Sequence, residues 1–162
     1  MSLRQALTGR GVEVDLLLGA GLVPEPVLST ITAAALLQGA LPEEAMTGEA
    51  VIVTAWQDAT GDQGWQGGAR DGALHGAKVN VAGAEGTDLF AVLTGAGVAI
   101  VPRDAQRVTV ESAETLDGCR PARVRFDGVA AEFLPCPQAE AVLQDARLAH
   151  AAYLLGLSGR AL

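Results

Sequence analysis

The feature that most constrains this chain is a series of short alternating runs between residues 50 and 134, separated by turns rich in glycine and aspartate. The run at 122–127 is bracketed by Asp-Gly pairs at 117–118 and 127–128. Glycine accepts the positive φ angles of tight turns at no steric cost. A period-2 run between two such pairs predicts one strand of an antiparallel sheet. Its two faces are Ala122, Val124 and Phe126 against Arg123 and Arg125.

Similar runs predict about eight short strands with turn signals between them. The predicted strands span residues 50–56, 72–75, 77–81, 88–94, 98–102, 108–112, 122–127 and 130–134. Such a series is typical of an antiparallel barrel or sandwich. With helical patterns on both sides, the predicted fold class is therefore α+β, an antiparallel β-barrel or sandwich flanked by N-terminal and C-terminal helices.

The helical patterns set the predicted domain boundaries. Pro24 and Pro26 open an apolar helical run that ends at Gly39, a residue favoured just past a helix C-terminus. The pattern becomes helical again from Gln138 to the end of the sequence. We expect an N-terminal helical segment at 1–46, a β-domain at 47–136 and a C-terminal helix at 137–162.

Composition excludes several functions. The formal net charge of −8 argues against nucleic acid and against an anionic membrane surface, since both would repel the chain. No apolar run reaches the roughly 18 residues that a membrane helix needs, and no signal peptide is visible. Cys119 and Cys136 stand singly, and His75 and His150 lie far apart in sequence. We therefore predict a reduced cytoplasmic protein without a metal site.

Several sequence pieces, taken in order, carry a family resemblance. They are Leu-His-Gly-Ala-Lys at 74–78, Thr-Asp-Leu-Phe-Ala-Val at 87–92, Val-Pro at 101–102, Val-Thr-Val-Glu at 108–111 and the stretch 116–129. This series resembles the middle β-domain of the acyl-CoA dehydrogenase family of flavoproteins. Residues 21–30 resemble the end of that family's N-terminal helical domain, and 145–156 resemble the first helix of its C-terminal four-helix domain. We expect a truncated family member that keeps the middle domain.

The resemblance implies a chemistry that belongs to fatty acid metabolism. It is the α,β-dehydrogenation of an acyl-CoA thioester, which needs a carboxylate base and FAD beside the substrate. In the family the base usually comes from the C-terminal helical domain, so no residue here is nominated as catalytic. We expect Glu111, Glu114, Asp117 and Asp127 to be solvated or turn-forming groups.

Four positions correspond to the family's flavin-binding segments. Trp56 and Gln57 stand where the family has a Thr-Glu-Pro-like segment. After Lys78, Asn80 stands where the family has an aromatic residue, and Ala82 replaces a serine or threonine hydroxyl. The resemblance makes these four residues the candidate cofactor-binding positions. Because they depart from the family pattern, we expect no tight FAD binding by this chain alone.

The last helix is apolar nearly all round between Leu148 and Leu157, so it is expected to be buried on several sides. It packs either on this chain's own β-domain or, through a free face at 139–162, on a second copy or an acyl-CoA dehydrogenase-like partner chain. Two functions therefore stay open. The chain is a truncated acyl-CoA dehydrogenase-like polypeptide that is inactive alone and acts with a partner chain, or it is a non-catalytic binding or assembly module that keeps the β-domain fold.

Overall fold

The computed structural model describes residues 17–21, 26–59, 64–116 and 119–161. A short helical stretch at 17–20 precedes the main elements. In chain order, these elements are α1 (Val27–Leu37), α2 (Glu43–Thr47), β1 (Ile52–Ala55), β2 (Ala69–Arg70), β3 (Ala73–Val81), β4 (Leu89–Thr94), β5 (Gly97–Pro102), β6 (Val108–Ser112), β7 (Ala122–Ala130) and α3 (Ala139–Ala161).

The strands form two sheets packed face to face. The first has the order β1-β4-β5 and the second the order β2-β3-β7-β6. Between them lies an apolar core that includes Val53, Phe90 and Val92 from the first sheet and Val124 and Phe126 from the second. The α+β class and the flanking helices are confirmed. In the described residues, the two sheets form a sandwich and do not close into a barrel.

The expectation of purely antiparallel pairing was wrong for one strand pair. β1 runs parallel to β4, with Ile52 beside Leu89 and Ala55 beside Val92. Parallel neighbours need a long crossover connection, and here that connection contains β2 and β3 of the other sheet. The remaining strand pairs are antiparallel.

Two predicted strand breaks are absent. The predicted strands 72–75 and 77–81 form the single strand β3, and β7 continues through Gly128 to Ala130. Gly128 has φ +72°, and the pairing register with β3 shifts beside it, between Leu74 and His75. Glycine at positive φ makes a β-bulge here, which bends a strand without reversing it. The predicted strand 130–134 reduces to a bridge between Leu134 and Val98.

The Asp-Gly pair at 71–72 forms a tight turn. Asp71 and Gly72 have φ values of +51° and +73° and join β2 to β3. Two central residues at positive φ match the right-handed twist of a hairpin. The predicted turn at 117–118 lies outside the described residues.

The helices bury one side of the first sheet. α1 buries Ala33, Leu36 and Leu37 in a second core shared with β1, β4, β5 and α3, and its Thr32 is buried as well. Its end at Leu37 confirms the stop before Gly39, and Gln38 adopts the left-handed cap conformation. The predicted opening at Pro24 lies outside the described residues.

The last helix shows two different faces. α3 buries Ala139, Val142, Leu143, Ala146, Ala149 and Ala152 against the rest of the chain. The opposite face leaves Leu148, Leu154 and Leu155 exposed at 52%, 57% and 65%. Packing on the chain's own domain therefore accounts for one face and leaves three leucines uncovered. Of the described helices, none has the length and apolarity needed to cross a membrane.

Candidate functional site

The structure brings together two of the four candidate cofactor-binding residues. The Asn80 side-chain amide donates a 2.9 Å hydrogen bond to Oε1 of Gln57. The backbone supports this contact, because the N–H of Val79 donates to the carbonyl of Gln57 at 2.8 Å. Asn80 lies at φ +56° where the pairing of β3 with β7 is irregular, and its side chain is exposed. Gln57 and Asn80 thus form an amide pair on the surface.

The other two candidates lie elsewhere. The half-buried ring of Trp56 packs against the second core, and the guanidinium of Arg147 on α3 lies 5.9 Å from its centroid. Such a cation–π contact directs Trp56 towards α3. Ala82 follows β3, is exposed and lines a cleft. The four residues therefore do not form one compact cluster.

A buried lysine holds the segment that carries Gln57. Lys78 is only 2% exposed, and its ammonium donates to Asp58 Oδ1 at 2.6 Å and to the carbonyls of Trp65 and Gly67 at 3.0 and 3.1 Å. Asp58 also accepts a 2.8 Å bond from the N–H of Gly67. Burial lowers the pKa of Lys78 from its ordinary value, and the hydrogen bond and charge of Asp58 oppose that change.

This role of Lys78 was missed from the sequence, where the residue appeared only as part of a family segment. The sequence signal for this role was the position of Lys78 in a predicted strand whose residues alternate between an inner and an outer face. Leu74 and Val81 of β3 are buried apolar residues, and Lys78 is buried with them. A lysine on the inner face of a strand requires partners for its charge, because an unpaired buried charge is very unfavourable.

The same segment contacts α3 on its other side. We call residues 56–59 and 64–68 the bridging segment. The indole N–H of Trp65 donates to Glu140 at 3.3 Å, and Glu140 forms a 3.4 Å ion pair with Arg147. Hydrogen bonds from Gln144 and Trp65 lower the pKa of the Glu140 carboxyl, and the charge of Arg147 adds to this effect. The bridging segment therefore lies between β3 and α3.

A cleft of about 1420 Å³ opens beside Ala82. Its walls come from the start of α1, the turn after β3, the connection between β6 and β7, and the middle of α3. The residues lining it are Leu18, Pro26, Val27, Leu28, Ser29, Ala82, Gly83, Glu85, Glu114, Thr115, Leu116, Cys119, Arg120, Pro121, His150 and Tyr153.

Most polar side chains that line the cleft have a hydrogen-bond or ion-pair partner within the chain. Glu85 pairs with Arg120 at 3.1 Å and accepts a hydrogen bond from Ser112. His150 hydrogen-bonds the carbonyl of Ala146 through Nδ1 at 2.8 Å. Because a carbonyl only accepts, Nδ1 of His150 is the donor in this bond. A largely apolar cleft with a few polar groups is the usual form of a small-molecule site.

The carboxylates considered from the sequence are at the surface. Glu111, Glu114 and Asp127 are exposed, and Asp117 lies outside the described residues. Glu114 lines the cleft, whereas Glu111 and Asp127 lie in β6 and β7. In the described part of the chain, no group of three histidine, cysteine or carboxylate side chains is arranged to hold a metal.

The fold is similar to solved structures. A steroid ACAD (acyl-CoA dehydrogenase), the Tcur3481–Tcur3483 G363A variant, matches with a TM-score of 0.76 and 23% identity over 93% of this chain and 46% of that chain. The ChsE4–ChsE5 complex from Mycobacterium tuberculosis matches with a TM-score of 0.73 and 22% identity over 96% and 50%. Apo-form PigA matches with a TM-score of 0.62 and 16% identity over 93% and 49%.

These likenesses establish an acyl-CoA dehydrogenase-like fold for the chain. The chain spans about half the length of the structures it matches. No protein-family model and no curated protein matches the sequence.

Proposed function

We propose that this chain is the β-domain component of an acyl-CoA dehydrogenase-type oxidoreductase and is inactive alone. The chemistry is the flavin-dependent α,β-dehydrogenation of an acyl-CoA thioester. One observation carries the proposal: the cleft beside Ala82 lies between the end of β3 and α3, in a chain with an acyl-CoA dehydrogenase-like fold. Its mostly apolar walls suit an acyl chain.

Arg120 and His150 give the cleft polar groups suited to a thioester of coenzyme A. Arg120 is half exposed at the cleft, so its guanidinium can reach a phosphate while it stays near Glu85. His150 and Tyr153 bring α3 to the opposite wall. We infer that the acyl chain lies along the apolar walls and that coenzyme A extends towards Arg120.

The Gln57–Asn80 pair fits one part of a flavin. The amides of Gln57 and Asn80 can donate to and accept from the polar edge of the ring, and a bound flavin would supply the hydride acceptor. Ala82 offers no hydroxyl, and Trp56 is engaged with Arg147. We therefore propose that FAD binds tightly only when another chain completes the site.

We propose that this other chain docks on α3 and supplies the catalytic base. The carboxylates of the cleft, Glu85 and Glu114, are exposed, and Glu85 is already paired with Arg120, so neither is held in the water-excluded position that a general base needs. The exposed Leu148, Leu154 and Leu155 offer a contact surface. The second chain is either another copy or an acyl-CoA dehydrogenase-like partner. The names of two similar structures describe two-component assemblies, which supports an acyl-CoA dehydrogenase-like partner over another copy.

A non-catalytic binding or assembly module is the second candidate. The mutual hydrogen bond of Gln57 and Asn80 favours it, because these amides already have a partner in the chain. In that case the β-domain and α3 would serve only to bind another protein. The two candidates differ in whether the cleft binds an acyl-CoA.

Calorimetric titration with a medium-chain acyl-CoA tests the proposal. We expect saturable binding with one site per chain and no comparable binding of coenzyme A lacking the acyl group. Ala82→Trp, which fills the cleft from an exposed position, should weaken binding at least about tenfold, or roughly 1.4 kcal/mol. Thr109→Trp, at an exposed position of β6, is the matched control and should bind normally. Binding that Ala82→Trp leaves unchanged would contradict the proposal.

A further inference from the structure

The bridging segment is held from two sides by charged residues. On the β3 side, Lys78 contacts Asp58, Trp65 and Gly67. On the α3 side, Glu140 accepts from the indole of Trp65. Trp65 is thus bound at its side chain by α3 and at its carbonyl by β3. Any shift of α3 along this contact must either stretch those bonds or move the segment.

The same contacts continue to the amide pair. Lys78 binds Asp58, and Asp58 directly follows Gln57 in sequence. Gln57 is hydrogen-bonded through its backbone to Val79 and through its side chain to Asn80. Hydrogen bonds, together with the peptide link between Gln57 and Asp58, therefore join Glu140 on the helix surface to Asn80 on β3. Linked bonds of this kind can carry coupling, but the coupling must be measured.

We propose that Glu140 and Lys78 are positioning residues for the Gln57–Asn80 pair, so that contacts made on α3 change the geometry of the amides that face the flavin. The biological meaning of this coupling rests on the proposed function. The coupling itself belongs to the chain alone and needs no ligand.

The position of Glu140 on α3 would link the coupling to the docking of another chain. Glu140 and Arg147 occupy the exposed face in the first half of the helix, and Leu148, Leu154 and Leu155 occupy it further along. α3 is a continuous helix of 23 residues. A chain docked on the leucines would therefore act on the same rigid element that holds Trp65. Assembly would then adjust the flavin-facing amides at the moment the site is completed.

Nuclear magnetic resonance of side-chain N–H groups tests the coupling directly. Trp56 and Trp65 are the two tryptophans of the chain, so their indole signals are simple to assign. Glu140→Ala removes the acceptor of Trp65, whereas Glu140→Gln keeps an acceptor oxygen at the same reach. Ser158→Ala is the matched control, since Ser158 is exposed on α3 and bonds only to Leu154 among the contacts described.

We expect Glu140→Ala to shift the Trp65 indole signal and also the side-chain amide signals of Gln57 and Asn80. Glu140→Gln should restore most of both shifts, and Ser158→Ala should cause neither. Because coupling is reciprocal, Asn80→Ala should shift the Trp65 indole signal. Unfolding midpoints measured in parallel should stay close to wild type, since the side chains of Glu140, Ser158 and Asn80 are all exposed.

Two results would overturn the proposal. A moved Trp65 signal with unmoved Gln57 and Asn80 amides would mean that the segment does not transmit the change. An unmoved Trp65 signal would mean that Glu140 does not hold the indole. Neither result depends on acyl-CoA binding, so failure of the coupling is distinguishable from failure of the proposed function.

Discussion

The carboxylate of Asp58 accepts a 2.6 Å hydrogen bond from the buried ammonium of Lys78. This ion pair connects the two sheets. Asp58 lies in the chain that follows β1 of the first sheet, and Lys78 lies in β3, an inner strand of the second. A buried pair contributes stability only when its geometry is good and its remaining hydrogen-bonding groups are satisfied. Here the carbonyls of Trp65 and Gly67 complete the ammonium's contacts.

Replacement of the lysine should strongly destabilise the fold. Lys78→Met leaves the carboxylate of Asp58, which is only 13% exposed, without its cation. Breaking a buried pair from one side costs about 3–5 kcal/mol. Chemical denaturation should show this loss. Arg70→Met is the control, because Arg70 and Asp71 are exposed and 4.0 Å apart, and it should change stability by less than about 0.5 kcal/mol. Equal effects of the two substitutions would contradict the role of Lys78.

The lowered pKa of Lys78 also predicts a pH dependence. Below its ordinary pKa of 10.5 there is a range in which the unfolded chain binds this proton and the folded chain has lost it. In that range the free energy of unfolding rises with pH, because the unfolded state carries more protons. The difference in stability between wild type and Lys78→Met should therefore grow as pH rises towards 10.5. A difference that shrinks over this range would show that the pKa is raised in the folded state.

The isolated chain should bind FAD more weakly than a micromolar dissociation constant. Asn80 and Ala82 replace an aromatic ring and a hydroxyl that the family places against the flavin, and Trp56 faces α3. The purified chain should accordingly show no stoichiometric flavin absorption. Titration followed by tryptophan fluorescence is the measurement. A single tight site per chain would prove the expectation wrong.

The exposed leucines of α3 should mediate association. Burying a leucine contributes about 1.5–3 kcal/mol, which is set against an association cost of about 4–15 kcal/mol. Leu148, Leu154 and Leu155 together with their neighbours can therefore hold a dimer at micromolar concentration. Light scattering should show a dimer for wild type and a monomer for the Leu148→Asp, Leu155→Asp double variant. Thr109→Asp, on β6, should remain dimeric. A wild type that is monomeric at every concentration would contradict the prediction.

Local sequence signals predicted some elements well and others not at all. Asp71-Gly72 and Asp127-Gly128 are the same dipeptide, yet the first is a hairpin turn and the second a bulge in β7. The difference lies in the partner strand, because β3 pairs on both sides of Gly128 and keeps β7 extended. The parallel pairing of β1 with β4 was not predicted for the same reason, since it too depends on a partner strand distant in sequence. Pairing between residues distant in sequence leaves no local signature.

The site was predictable in part for a similar reason. The resemblance nominated Gln57 and Asn80, and the structure joins their side chains by a hydrogen bond, but their part in binding a cofactor stays a prediction. Composition gave no hint that Trp56 would face Arg147 or that Lys78 would be buried. Both depend on how α3 and β3 pack around the bridging segment.

The most direct test of the proposed function follows the backbone amide signals during titration with a medium-chain acyl-CoA. We expect the largest shifts at Ala82, Glu85 and Tyr153, which line the cleft from the turn after β3 and from α3. Thr109 and Arg125, on the exposed face of the second sheet, should not shift. Saturable shifts confined to the cleft would support an acyl-CoA site in this chain. Shifts spread over the surface, or none at saturating ligand, would contradict it.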